Sequence, residues 1–166
     1  KQCLEGDLKA FDQLVLKYQK PLYNSCLRMV GDMADAQDIV QTAFIKAFEK
    51  LSSFDEKYRF FSWIYRIMVN ESLKHLDRSK QAAKLDSTAD SEVKSPDEQY
   101  RVTLLREKIQ DALMQLKPVH RTVIVLRYFA DLSYRELAFV FDLPEKTVKS
   151  RLYSARQQLG NIVEAQ

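Results

Sequence analysis

Lys146, Lys149, Ser150, Tyr153 and Arg156 stand at i, i+3, i+4, i+7 and i+10, which places them on one side of an α-helix. Three cations, a hydroxyl and a phenol on one helical face are equipped to donate to phosphate oxygens and to the edges of bases. A tyrosine ring can also meet a thymine methyl. The other side of that helix carries Val148, Leu152, Ala155 and Leu159 at i, i+4, i+7 and i+11, a stripe to bury. What must position this helix lies just upstream. Ser133 followed three residues later by Glu136 is a capping box, so a short helix begins there with Leu137, Ala138, Val140 and Phe141 on its apolar face. Asp142-Leu143-Pro144 then stops it, because proline disfavours a helical residue before it and lacks a backbone donor. Two short helices at a tight turn, with small Ala138 near their crossing, make either a DNA-binding helix-turn-helix or a hairpin in a bundle with a solvated basic face.

A second set of chemically capable residues lies near the middle of the chain. Phe60, Phe61, Trp63, Ile64, Tyr65, Ile67, Met68 and Val69 make a helix apolar almost all round, interrupted every fourth residue by Ser62, Arg66, Asn70, Lys74 and Arg78. At about 100° per residue that polar stripe drifts by roughly 40° per step. Such a helix either sits centrally in a bundle or offers aromatic rings beside a basic seam to unstacked bases.

The composition narrows the setting. Three glycines and four prolines in 166 residues leave few turn residues, so the chain is expected to be helical nearly throughout. Lys and Arg exceed Asp and Glu by 2 over residues 1–83 and by 3 over 104–166, whereas residues 84–103 carry an acidic excess of 2. No apolar run reaches the roughly 18 residues of a membrane span, and no signal-peptide layout opens the chain, so the protein is expected to stay in the cytoplasm. The residues before Cys3 read as the interior of a helix, and the natural start is expected further upstream. Cys3 and Cys26 with His75 and His120 show no metal-ligand spacing, and Cys26 falls on an apolar face with Leu22, Met29 and Val30 as a reduced core thiol. Without a glycine-rich phosphate loop, a ligand cluster or a nucleophile beside a base, neither an enzyme nor a cofactor or metal is expected.

Read in order, Asp7 caps a helix to Tyr18, and Pro21 opens a second that ends at Gly31. Asp32 caps a third, to about Leu51, which buries Ile39, Val40, Ala43, Phe44, Ala47 and Leu51 and leaves Asp35, Asp38, Gln41 and Lys46 outside. A loop from Ser52 leads into the aromatic helix from about Phe60 to Ser79. Ala82 to Glu98 is polar, serine-bearing and acidic, a linker. A fifth helix through Leu104, Leu105, Ile109, Ala112, Leu113 and Leu116, then a sixth from Pro118, lead to the helix-turn-helix. The expected fold is all-α: two small helical domains, 1–83 and 104–166, joined by a flexible linker over 84–103.

Three blocks in this order carry a resemblance. Asp35-Ala36-x-Asp38-x-Val40-Gln41-x-x-Phe44, then Phe61-Ser62-Trp63-Ile64-Tyr65-Arg66-Ile67 with Asn70, and finally Leu132-Ser133-Tyr134-x-Glu136-Leu137-Ala138 with Thr147 to Leu152 and Ala155-Arg156, are similar to the bacterial extracytoplasmic-function (ECF) sigma factors, group 4 of the sigma-70 superfamily. The resemblance implies a transcription initiation factor that binds core RNA polymerase through its beta-prime and beta subunits and directs it to promoter DNA. Residues 1–83 would be region 2, with Asp35, Asp38 and Gln41 facing the beta-prime coiled coil. The Phe54–Arg59 loop would capture a flipped base of the minus-ten element, with Tyr58, Arg59, Trp63, Arg66, Asn70 and Lys74 along the non-template strand. Residues 104–166 would be region 4, reading the minus-thirty-five duplex through Lys146, Lys149, Ser150, Tyr153 and Arg156. Many relatives are held by an anti-sigma factor, which makes such a protein a further expected partner. One departure stands in the turn, where Asp142 replaces the family's usual glycine. The competing class is a stand-alone helix-turn-helix regulator whose first half senses a ligand or dimerises.

Overall fold

The structure, a computed structural model, describes residues 8–83 and 100–165; the expected cap at Asp7 and the linker up to residue 99 lie outside them. Seven α-helices make up the described chain: α1 (Leu8–Val30), α2 (Met33–Glu49), α3 (Phe60–Ala83), α4 (Tyr100–Gln115), α5 (Pro118–Tyr128), α6 (Tyr134–Phe141) and α7 (Glu145–Glu164).

The first half is a three-helix unit in which α1, α2 and α3 all touch one another. The break expected at Pro21 is absent, and α1 runs straight through it. An interior proline costs about 3 kcal/mol through a lost hydrogen bond and a clash with the preceding turn. Here Leu22, Cys26 and Met29, one turn apart, are completely buried, and the hydroxyl of Tyr65 donates to the Pro21 carbonyl at 3.2 Å. Burying three such side chains at roughly 1.5–3 kcal/mol each outweighs the local defect. The helix ends at Gly31, whose φ of +86° suits glycine alone and whose N–H reaches the Leu27 carbonyl at 2.8 Å. Asp32 then caps α2 as expected, accepting from the Asp35 N–H at 2.9 Å. The face of α2 that is buried is Ala36, Ile39, Val40, Ala43, Phe44 and Ala47, which gains Ala36 over the sequence stripe and loses Leu51; Leu51 belongs to a 3-10 turn, Leu51–Ser53, and is half-buried.

The aromatic helix takes the central position. Ile64, Tyr65, Met68 and Val69 of α3 are buried, and α3 contacts α1 and α2 on one side and α5 and α6 on the other. Its polar residues point inward where partners exist: Ser25 and Tyr65 hydroxyls lie 3.0 Å apart, and Ser72 donates to the Met68 carbonyl at 2.9 Å.

The second half begins earlier than the expected boundary, since α4 is already helical at Tyr100. Ala112, Leu113 and Leu116 are buried, but Ile109, expected on the same face, is 36% exposed. Pro118 sits in the first turn of α5, where its missing N–H costs nothing. The last helix runs beyond Leu159 to Glu164, and of its stripe Val148, Leu152 and Ala155 are buried while Leu159 is half-buried. The two halves also pack together, α1 against α4 and α5, and α3 against α5 and α6.

Candidate nucleic-acid interface

The helix-turn-helix is built as its local sequence prescribes. Ser133 Oγ accepts from the Glu136 N–H at 3.2 Å, and Glu136 Oε2 accepts from the Ser133 N–H at 2.9 Å and from its hydroxyl at 2.8 Å. This reciprocal cap starts α6. Asp142 ends it in the left-handed region, φ 55° and ψ 48°, with the Leu143 N–H donating to the Ala138 carbonyl at 3.0 Å. Asp tolerates that conformation better than most side chains, which is how the chain makes the turn without glycine. With Val148, Leu152 and Ala155 turned into the core, Lys146, Lys149, Ser150, Tyr153 and Arg156 all emerge on the exposed side of α7. No carboxylate pairs with Lys146, Lys149 or Arg156 among the described residues. Lys149 Nζ lies 5.3 Å from the centre of the Tyr134 ring, which also receives the Arg127 guanidinium at 5.6 Å. Tyr134 therefore steadies the entrance of the basic face, a role that no spacing rule signals because the two residues sit on different helices.

The expected minus-ten residues are divided by the structure into three groups. Tyr58, Arg59 and Arg66 come together, joined by Ser62, but on a surface that α6 covers. The Tyr58 ring stacks on Phe139 with centroids 3.9 Å apart and planes at 22°. Arg59 Nη1 and Ser62 Oγ both donate to Glu136 Oε1, at 3.1 and 3.0 Å, and Arg66 Nη1 donates to the Phe139 carbonyl at 3.2 Å. Trp63 instead packs into an aromatic cluster with Phe54 at 5.1 Å and Phe60 at 5.6 Å. Asn70 is exposed one turn beyond Arg66, whereas Lys74 is drawn to Glu71 at 3.4 Å, which also holds Lys46 of α2 at 2.7 Å. Tyr65, which the sequence placed beside the basic seam, is fully buried; burial pushes its hydroxyl up to about 12, against the opposing hydrogen bond from Ser25.

Glu136 and Phe139 are the participants that sequence reasoning missed at this surface. Burial alone would raise the Glu136 carboxyl, but hydrogen bonds from the Ser133 backbone, the Ser133 and Ser62 hydroxyls and the Arg59 charge together hold it below its ordinary value. Its two oxygens serve different masters. One completes a local cap; the other is bound to α3, more than seventy residues earlier.

On α2, Asp38 and Gln41 are exposed, while Asp35 is half-buried and accepts a 2.9 Å contact from His75 Nε2 of α3. The exposed stripe continues from Asp38 and Gln41 into Ile45 and Phe48, which are 53% and 48% exposed. Together with Phe11, Val15 and Tyr23 of α1 they border an apolar groove of about 1000 Å³. Ile45 and Phe48 were legible as apolar residues outside the buried stripe, which is an informative exception on a surface helix. The expected core thiol is confirmed: Cys26 is completely buried, 3.5 Å from the Ser72 hydroxyl, and burial raises it to about 11. No helix is long and apolar enough to cross a membrane, among the described residues.

Both halves of the chain match known families. Residues 14–82 match the family described as Sigma-70 region 2, and residues 106–159 match Sigma-70, region 4. The chain is 34% identical to an RNA polymerase sigma-H factor of Pseudomonas aeruginosa over 96% of this chain and 89% of that one. It is 33% identical to the ECF RNA polymerase sigma factor SigW of Bacillus subtilis, covering 96% and 91%. Among solved structures, the sigma factor RpoE of Bartonella quintana, determined with the anti-sigma factor NepR, aligns with a TM-score of 0.78 at 25% identity over 95% of this chain and 98% of that one. CnrH, determined with the cytosolic domain of CnrY, aligns with a TM-score of 0.75 at 29% identity, covering 99% and 94%.

Proposed function

The chain belongs to the ECF sigma factors of the sigma-70 family, and from that premise we propose which of its residues carry each of the family's contacts. The protein is a transcription initiation factor that binds core RNA polymerase and directs it to promoter DNA through regions 2 and 4. The first half, being region 2, is accordingly not the sensing or dimerising domain of a stand-alone regulator.

Region 2 is assigned to α1 to α3 and region 4 to α4 to α7, a division that the helix ranges support. In region 4, α7 enters the major groove of the minus-thirty-five element. What carries this reading is the row Lys146, Lys149, Ser150, Tyr153 and Arg156, all exposed on a helix whose opposite face is locked into the core. Cations with no carboxylate nearby keep their full attraction for phosphate. In region 2, Tyr58, Arg59, Arg66 and Asn70 bind the non-template strand of the minus-ten element; the pairing of Lys74 with Glu71 and the packing of Trp63 in its aromatic cluster make those two secondary. The protein's role is to bind and open DNA, with the chemistry of synthesis left to the polymerase. An anti-sigma factor is the further partner that likeness to RpoE and CnrH, each solved with a bound partner, brings in.

Core polymerase docks on α2 through Asp38 and Gln41, with Ile45 and Phe48 adding apolar area and Asp35 braced by His75. An exposed strip of charge, amide and large apolar side chains on one helix face suits a helical partner laid along it. The combined variant Asp38→Arg, Gln41→Ala should lose most of its co-elution with core polymerase on a sizing column while melting at the parent temperature. Both positions are exposed, and such substitutions usually stay within about 0.5 kcal/mol. Undiminished co-elution would move the contact elsewhere.

A further inference from the structure

Of the three surfaces assigned above, the α7 face and the α2 face are open, and the minus-ten surface is closed by α6. The groups that close it match, one for one, what a single strand would present. Phe139 lays a ring on Tyr58 at 3.9 Å, where an unstacked base would lie. Glu136 offers a carboxylate oxygen to Arg59 and Ser62, where a phosphate oxygen would be held. The Phe139 carbonyl and the Asp142 carboxylate, at 3.2 and 3.5 Å, occupy the Arg66 guanidinium, whose centre is also 5.0 Å from the Phe139 ring.

We propose that in the free factor the first helix of the helix-turn-helix occupies the minus-ten strand site as a mimic of single-stranded DNA, so that melting capacity is masked until region 4 is drawn away. This rests on the assignment of Tyr58, Arg59 and Arg66 to that strand. A second seam holds the same closed arrangement at the far end of α1. There the Arg28 guanidinium lies 4.1 Å from the Phe129 ring, Gln110 Nε2 donates to the Arg28 carbonyl at 3.4 Å, and Gly31 leaves room for Met114. Both seams are polar or half-exposed at their rims, with the Arg59 side chain 75% exposed, so the closure is reversible rather than a fused core. Because the α2 face and the α7 face stay open, polymerase and the upstream duplex can both bind first. Each would then pull region 4 from α3 only at the cost of the α6 contacts, which couples melting to assembly.

The test uses the full chain without polymerase. Two variants loosen the mimic without touching the strand-binding residues: Phe139→Ala removes the stacked ring, and Asp142→Gly removes the Arg66 partner while suiting the left-handed turn. The readouts are the radius of gyration by small-angle scattering and binding of a fluorescein-labelled single-stranded oligonucleotide of random sequence, about 12 nucleotides long. The parent should be compact and bind weakly; Phe139→Ala should expand and bind about tenfold more tightly, and Asp142→Gly about twofold more tightly. Unchanged size and binding in both variants would overturn the proposal, and so would expansion without tighter binding. The minus-ten assignment is judged separately, by permanganate reactivity of promoter thymines in holoenzyme carrying Arg66→Ala. Normal reactivity there removes the assignment whatever the free factor does.

Discussion

The two surfaces proposed to face DNA are made of similar side chains and behave in opposite ways. On α7 the row from Lys146 to Arg156 comes from a single helix and stands open. On region 2 the row Tyr58, Arg59, Ser62 and Arg66 comes from a loop and the start of α3, and α6 covers it. A duplex groove is met by a preformed rigid face, so one helix anchored through Val148, Leu152 and Ala155 suffices. A displaced strand has to be taken out of its stack, so its site needs rings and donors from several segments, and a site of that kind is sticky toward any ring or carboxylate nearby. The difference teaches that exposure of a nucleic-acid face depends on what it must bind and on what the fold can place against it.

The largest expected effect comes from removing the anchor of the open face. Leu137 is completely buried where α6 meets α7, and Leu137→Ala should cost about 2–5 kcal/mol in urea denaturation. Binding of holoenzyme to the upstream duplex should fall with it, because α7 would lose its bearing. If duplex binding survives that loss of stability, the open face does not depend on the α6 joint, and the contrast with the composite region 2 surface collapses.

A smaller effect, of about 1–3 kcal/mol, sharpens the same contrast within α7. Lys149, near the start of the helix and beside Tyr134, is expected with Ser150 to read bases, and Arg156, two turns on, to meet phosphate. Lys149→Ala should therefore relax preference at one position in a selection from a randomised upstream element. Arg156→Ala should weaken binding uniformly and flatten its salt dependence by about one counterion. Identical selected sequences from parent and Lys149→Ala would end the base-reading assignment.

The smallest expected effect separates the two surfaces by pH. Glu136 faces Ser133 on its own helix, Ser62 and Arg59 of region 2, and Lys57 and Arg135 at the rim of the same recess. Its carboxyl is held below the ordinary carboxylate range, so its contribution is complete above that range and lost as pH falls through the depressed folded value. Acidification should open the chain and fray the start of α6, with the Ser133 cap and the α3 contacts weakening together. Scattering across an acid titration, compared with Glu136→Gln, would show the parent expanding at low pH and the variant already loosened at neutral pH. A parent and variant of equal compactness at neutral pH would remove Glu136 from the closure.

The sequence by itself determined the parts that depend on neighbours three or four residues apart. Ser133 and Glu136 declared their cap, Asp32 declared another, and the Val148, Leu152 and Ala155 stripe told α7 which side to bury. Such features are set by helical geometry, which any short stretch carries with it. The order of the three family blocks likewise needed no coordinates to read. Tertiary structure decided what periodicity cannot reach. Pro21 looked like a helix start, yet burial of Leu22, Cys26 and Met29 carries α1 through it. Periodicity left Tyr65 open between the core and a ring beside the basic seam, and it lies in the core beside Ser25. Above all, Glu136 looked complete as a cap, because one carboxylate oxygen satisfies Ser133. Its second oxygen is bound by Ser62 and Arg59, 74 and 77 residues away along the chain, and partners that distant are chosen only when whole helices pack.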